Sequence, residues 1–243
     1  MDGTAQEILI VAIARLLRGV GHVAVGMASP IPAAASLLAA ECSGGAMRVS
    51  ILGSRTTQVW SDTGVEMFDC AAQGRMDAFF LGGGEIDGAG NTNLVGIGDY
   101  RRPQVRWAGS FGSAVLTFTV PRIILFREEH TRRVLVPRVG FVSAPGTSPE
   151  GVWRRGGPVA LVTSRCLFDF DRERGEFALA SVHPGHSVDE VLEHTGFAFR
   201  RPDRVPVTEA PDESTLALLR TRVAPRLADA YPIFASTAMK AGA

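Results

Sequence analysis

The sequence is nearly without lysine: one, Lys240, stands against 24 arginines in 243 residues. It also has no net charge, since 25 basic residues balance 25 acidic ones. Binders of nucleic acid or anionic membrane need surplus positive charge to offset phosphates, so neither class is expected. No uncharged apolar run reaches the roughly 18 residues of a transmembrane helix, so no membrane span is expected. Cysteine is scarce, and Cys42, Cys70 and Cys166 form no C-x-x-C pair. That argues against a disulfide framework and a zinc site, and fits reduced thiols in a cytoplasm. The first seven residues, M-D-G-T-A-Q-E, are acidic where a secretory signal starts basic, so no signal is expected. Base composition of the genome is the simplest source of the arginine excess. Any arginine with a role keeps its charge and can grip a carboxylate or phosphate through two N–H groups.

What is present is a hydrophobic share of 46%, in a chain long enough for one large domain or two small ones. Such a chain buries about 70% of its unfolded surface and needs no metal or disulfide to fold. The simplest division is one domain over residues 1–243, with 203–243 as a C-terminal appendage. Residues 4–18 place Ile8, Val11, Ile13, Leu16 and Leu17 at helical spacing, with Thr4 and Glu7 as a capping box. Residues 22–26 read as a strand. Pro30 and Pro32 open a helix to about residue 40. Residues 48–52 and 77–81 are further strands, with a helical piece at 68–75 between them. This alternation predicts an α/β fold with an open, mostly parallel sheet and helices on both faces. Ligands of such folds sit beyond the carboxyl ends of the strands, here the loops after Leu52 and Leu81. Residues 122–126, 133–136, 158–163, 167–170 and 177–181 are strand-like. Residues 143–157 form a Gly/Pro/Ser loop, while 187–194 and 212–222 read as helices, the last capped near Asp212.

Three stretches have the composition of a site. Residues 81–93, L-G-G-G-E-I-D-G-A-G-N-T-N, follow a buried strand. Gly82, Gly83 and Gly84 would let the backbone approach a ligand and offer N–H groups to an anion, with Asn91 nearby. The stretch is neither a Walker loop nor a good dinucleotide fingerprint. It reads equally as a turn in which Asp87 and Asn91 bond local backbone. Glu85 is either a general base or a loop residue bonding its own backbone, the second being preferred. In residues 107–114, W-A-G-S-F-G-S-A, the small Gly109, Ser110 and Gly112 leave helix N–H groups free for a carbonyl or phosphate, or simply permit close packing. In residues 179–191, His183 and His186 could be an acid–base pair or metal ligands. The preferred reading there is a strand end, a Pro-Gly turn and a helix capped by Ser187 with Glu190, and no metal site is expected.

The run F-L-G-G-G-E-I-D-G-A-G-N-T-N from Phe80, then I-G-D-Y from Ile97, P-Q-V-R from Pro103 and G-S-F-G-S from Gly109, resembles the beta subunit of family I coenzyme A transferases, the glutaconate CoA-transferase type. F-V-S-A-P-G from Phe141, G-G-P-V-A from Gly156, F-D-F from Phe168, S-V-H-P-G from Ser181 and T-G-F from Thr195 extend the likeness to about Phe199. The late set argues against a sugar-phosphate isomerase or deaminase of similar topology. The resemblance implies an open α/β fold of the CoA-transferase, NagB/RpiA-like kind. It implies an alpha-type partner in a hetero-oligomer, an active site at the subunit interface, and an acyl-CoA thioester as substrate with no bound cofactor.

In such transferases a glutamate just past the second strand attacks the thioester, forming an anhydride and then a glutamyl-CoA thioester; a carboxylate suits this because it leaves as readily as it attacks. The matching register here reads V-S-I-L-G-S-R from Val49, so Gly53 stands where the glutamate would be, followed by Ser54 and Arg55. Glu41, before C-S-G, looks superficially like the motif but lies at the end of a helix, before the strand. Some relatives lacking the glutamate, the ring-cleaving hydrolases of steroid degradation, use an alpha-subunit carboxylate and add water to a cyclic dione. The expected function is therefore a beta-type subunit of a cytoplasmic acyl-CoA enzyme transferring CoA between carboxylic acids. The alternatives are a ring- or C–C-cleaving hydrolase, or a non-catalytic CoA-binding subunit. Gly82, Gly83, Gly84, Asn91, Gly109, Ser110, Gly112 and Arg55 are the candidate binding residues, and Glu85 and Glu41 the candidate carboxylates. Arg101, Arg102 and Arg106 flank the site loops and could meet CoA phosphates.

Overall fold

In the computed structural model, which describes residues 4–61 and 64–239, the chain forms two compact units. The first runs to Phe80 and resumes at Glu209; the second is Leu81–Thr208. The last stretch, expected to hang from the domain as an appendage, is from Glu209 onward a constituent of the first unit.

In the first unit, α1 (Ala5–Leu16) starts at the predicted capping box: the Thr4 hydroxyl accepts from the Glu7 N–H at 3.2 Å, and the Glu7 carboxylate accepts from the Thr4 N–H at 2.8 Å. It packs on α2 (Pro30–Cys42), which is buried at every position from Ile31 to Ala40. A helix apolar all round belongs in a core rather than on a surface. Strand β1 (His22–Val25) runs parallel to β2 (Arg48–Ile51) on one side and β3 (Ala78–Leu81) on the other. These strands are almost wholly buried, as expected of parallel strands covered on two faces. Helix α3 (Val65–Ala72) ends before Gly74, whose φ of +73° closes the turn.

The second unit opens with four short strands that the sequence did not suggest. They are β4 (Glu85–Ile86), β5 (Thr92–Asn93), β6 (Gly96–Asp99) and β7 (Arg102–Arg106), paired antiparallel as β4–β5 and β6–β7. Their glycine, asparagine and aspartate content gives no strand signal. After α4 (Ser113–Thr119), β8 (Arg122–Phe126) pairs parallel with β9 (Pro158–Val162). β10 (Cys166–Asp171) and β11 (Glu176–Val182) continue antiparallel, and α5 (Val188–His194) follows. Residues 133–136, expected as a strand, give only a one-residue bridge between Ile86 and Leu135. The N–H groups of Val134 and Leu135 both turn back onto the Thr131 carbonyl, leaving little backbone for a ladder. The unit's core is an aromatic cluster: Phe177 lies 4.8 Å from Phe170 and 5.5 Å from Phe197, and Phe168 lies 5.0 Å from Phe199.

The chain then returns to the first unit. Asp212 caps α6 (Glu213–Leu218) by accepting the Thr215 N–H at 2.7 Å. The expected single helix over 212–222 is interrupted by a π-helical turn, Leu219–Val223, before α7 (Ala224–Leu227) and α8 (Pro232–Ala238). Pro225 explains the interruption: it lacks an N–H and its ring would press on the carbonyl four residues back, which the wider turn relieves. On that turn, Arg220 binds Glu7 with two parallel bonds of 2.7 and 2.8 Å. The capping carboxylate of α1 thus also ties the last helices to the first.

Candidate active site

The glycine-rich loop after β3 is tightly built. A Cβ on Gly84 would lie 2.2 Å from the Trp107 ring, and one on Gly83 would lie 2.7 Å from the Glu85 carbonyl oxygen. A Cβ on Gly88 would meet Phe197 and one on Gly90 would meet Phe170, each at 3.0 Å, so the aromatic core of the unit seats the loop. Asp87 accepts the N–H groups of Ala89 and Asn91, both at 3.1 Å, while the Asn91 side chain donates to Asp87 and accepts the Gly146 N–H at 3.0 Å. Asn91 is therefore occupied in organising the turn. Glu85 is buried, and its Oε2 accepts from Asn93 Nδ2 at 2.7 Å and from the Gly140 N–H at 2.9 Å. Asn93 in turn donates to the Gly96 carbonyl at 2.8 Å and accepts from Val95 and Gly96. This is a buried clamp between loops, in keeping with the preferred reading of Glu85.

Beyond Trp107, Gly109 has φ +103° and nothing lies within 4 Å of where its Cβ would stand, while Phe111 has φ +47° and is largely exposed. Gly112 stands at the cap of α4 with Ser110, whose carbonyl accepts the Ser113 N–H at 2.9 Å. This turn is open on its outer side, unlike the packed glycines of residues 82–84.

In the first unit, the loop after β2 carries Gly53 at φ +85°, its N–H held by the Gln58 side chain at 2.7 Å. Ser54 is buried and donates to Asp229 Oδ2 at 2.7 Å. The N–H groups of Arg55 and Thr56, the Thr56 hydroxyl and the Arg55 guanidinium all donate to the same carboxylate, at 2.8 to 3.3 Å. Asp229 follows α7, and the hydrogen bond from Ser54, with those from Thr56 and Arg55, holds its pKa down at about 2. Five donors leave it a loop anchor rather than a nucleophile. Sequence reasoning missed it, because nothing near position 229 signals a partner 175 residues earlier. Glu41 lies in the last turn of α2 and pairs with Arg226 and, at 3.9 Å, with Arg222.

His183 and His186 are not brought together as a site. His183 is buried, with Nδ1 2.8 Å from the Thr208 hydroxyl and Nε2 3.0 Å from the Thr163 carbonyl; burial lowers its pKa to about 4. His186 lies 3.6 Å from Glu190, which with Ser187 forms the predicted capping box of α5. Among the described residues no group of three His, Cys, Asp or Glu side chains could hold a metal ion.

The coenzyme A transferase family model matches residues 6–194, most of the chain. The chain belongs to that family. One of the two polypeptides of the glutaconate CoA-transferase of Acidaminococcus fermentans is 34% identical over 153 residues, 60% of this chain and 56% of the relative. The cholesterol ring-cleaving hydrolase IpdB subunit of Rhodococcus jostii is 31% identical over 165 residues, 66% of this chain and 64% of the relative. The crystal structure of the decarboxylase AibA/AibB superposes with a TM-score of 0.77 at 28% identity, covering 90% of this chain and 94% of the other. The chain spans less than three fifths of the length of the curated transferase subunits it matches. Within the CoA transferase family, then, the fold is the expected mostly parallel α/β one, and proteins named for three different reactions share it. The late motif of this family member is structural in the molecule: Ser181, His183 and Thr208 form one buried hydrogen-bonded row. Among the described residues no helix is long and apolar enough to cross a membrane.

Proposed function

We propose that the chain is the beta-type subunit of a two-subunit acyl-CoA enzyme, working with an alpha-type subunit in the cytoplasm, where its three unpaired thiols stay reduced. In this reading the partner supplies the carboxylate that acts on the acyl group, as base or nucleophile, and this chain binds and orients the thioester. One observation carries it: the loop after β2 has Gly53 where the resemblance expects a nucleophile, while Glu85 and Glu41 are already committed to Asn93 with Gly140 and to Arg226 with Arg222. Covalent relay of CoA needs a free carboxylate that can attack, carry the acyl group and then leave. The open turn at Gly109, Ser110 and Gly112 would face the thioester, and Arg55, whose side chain is 88% exposed, would meet a carboxylate or phosphate of the substrate. Transfer of CoA between carboxylic acids is the second reading, favoured by the likeness to transferase subunits.

The test is trapping with hydroxylamine or borohydride in the complex formed with a co-expressed alpha-type subunit, across a panel of acyl-CoA thioesters. The expected outcome is thioester-dependent turnover, no CoA adduct on this chain, and kcat within about twofold of wild type in Glu41→Ala and Glu85→Gln. An adduct on this chain that vanishes in either variant overturns the reading and restores covalent relay.

A further inference from the structure

The clamp of Glu85 and Asn93 has two arms, and each holds the root of an exposed aromatic side chain. One arm is Asn93, which fixes Gly96, the first residue of the β6–β7 hairpin, through three bonds of 2.8 to 3.3 Å counting that to Val95. The other is Glu85, which fixes Gly140 at 2.9 Å, while Asp87 accepts the Val139 N–H at 3.3 Å. Tyr100 stands at the tip of the hairpin and Phe141 directly after Gly140. Their rings stack with centroids 6.0 Å apart and planes 22° apart, although both side chains are solvent-exposed. The Arg106 guanidinium lies 4.9 Å from the centre of the Tyr100 ring. Arg101 and Arg102 follow Tyr100, and Asp99 is the one acidic residue of the hairpin, so residues 96–106 carry three positive charges against one negative, a net +2. The Asp99 carboxylate accepts the N–H groups of Arg101 and Arg102 at 2.7 and 3.3 Å, which turns it into the tip of the hairpin.

A buried polar clamp that presents stacked aromatics ringed by arginines on the outside has a specific use. Flat π-faces take a nucleobase, and guanidinium groups take phosphates through two N–H bonds. We infer that the Tyr100–Phe141 stack with Arg101, Arg102 and Arg106 holds the 3′-phosphoadenosine diphosphate end of the CoA thioester. The purine extends the stack that the two rings begin, and the arginines meet the 3′-phosphate and diphosphate. This deepens the acyl-CoA reading and rests on it. It also gives Glu85 a positioning role: the carboxylate holds apart-in-sequence segments in register so that the two rings meet.

Two measurements on the two-subunit complex test this. Adenosine 3′,5′-bisphosphate is titrated calorimetrically, and turnover of an acyl-CoA is compared with that of the same acyl group on pantetheine, which lacks the nucleotide. Tyr100→Ala, Phe141→Ala and Arg106→Gln are exposed substitutions that leave the melting temperature unchanged. Each is expected to weaken bisphosphate binding about tenfold and raise the CoA-thioester KM alike, with the pantetheine thioester unaffected. Unchanged bisphosphate affinity overturns the inference. So does loss of the partner subunit from the variant complexes on gel filtration, because the hairpin is then a protein interface. Bisphosphate binding that is lost in the variants of a complex with no acyl-CoA turnover upholds the site and removes the reading beneath it.

Discussion

Restoring a carboxylate at Gly53 asks whether this position is the one the family's nucleophile occupies. The residue sits at φ +85°, and the nearest atom to an added Cβ is Met27 Cε at 3.9 Å, an ordinary contact. Gly53→Glu therefore meets no steric wall, and its cost is the left-handed backbone, about 1–2 kcal/mol for a residue with a Cβ. In a chain of this size that lowers Tm by roughly 2–8 °C. The hydrogen bond from the residue 53 N–H to Gln58 is unaffected by the side chain. Gly53→Ala has the same strain without the carboxylate, so the two variants should melt alike, by calorimetry or near-UV circular dichroism. In the assembled complex, Gly53→Glu alone should then give a borohydride-sensitive CoA thioester on this chain and exchange of CoA between acids. A folded, assembled Gly53→Glu complex with no adduct would refute the assignment of Gly53 to that position. A fall in Tm for Gly53→Glu well beyond that of Gly53→Ala would refute the claim of open space.

Asp229→Ala removes the acceptor shared by Ser54, Arg55 and Thr56, so it should lower Tm at pH 7 and speed proteolysis within residues 53–58. The folded carboxylate titrates at about 2, below its unfolded value near 4. Its contribution is complete above pH 4 and fades as pH falls toward 2, where the variant and wild-type melting curves should converge; a constant gap would contradict this. His130 and His183 are held neutral near a pKa of about 4, chiefly by burial. His130 lies 2.7 Å from the Thr163 hydroxyl and 3.0 Å from the Thr195 hydroxyl, and the latter donates onward to the Val191 carbonyl. Unfolding releases both rings to an ordinary value near 6.5, so the unfolded chain binds more protons between pH 6.5 and 4. Stability should fall across that window as pH drops, by on the order of 3 kcal/mol per ring. Urea midpoints from pH 7.5 to 4.5 measure it, and a flat profile would show that these rings titrate alike in both states.

The first unit's regular elements were legible because their signals are local. The Thr4–Glu7 and Ser187–Glu190 boxes are three residues long, and β1, β2 and β3 are short apolar runs between breakers. The same holds for β8 to β11. Strands β4 to β7 were not legible, because G-I-G-D has no strand propensity and is held by Asn93 and by pairing to R-P-Q-V-R. Residues 133–136 show the reverse failure: V-L-V has the right composition, but the Thr131 turn takes its N–H groups. For the site, the loops were found from their glycines, yet the glycines of residues 82–84 answer to Trp107 and the backbone rather than to a ligand. Asp229, Asn93 and Gly140 carry no motif. Each acts through a partner set by tertiary pairing, which one sequence does not display.

The return of the chain to its first unit has a consequence for synthesis. Glu7, Glu41 and Ser54 meet Arg220, Arg226 and Asp229, 213, 185 and 175 residues later. At ordinary translation speeds those partners emerge about 10–40 s after the residues that need them. Leu81–Thr208 is complete before then, so the middle of the polypeptide can finish folding while its beginning still waits. Pulse proteolysis of ribosome-bound chains arrested near residue 208 would show a protected middle and a cleavable start. A stop codon ahead of Arg220 would strand a carboxylate in the first helix's buried face, making the far terminus the last checkpoint of assembly.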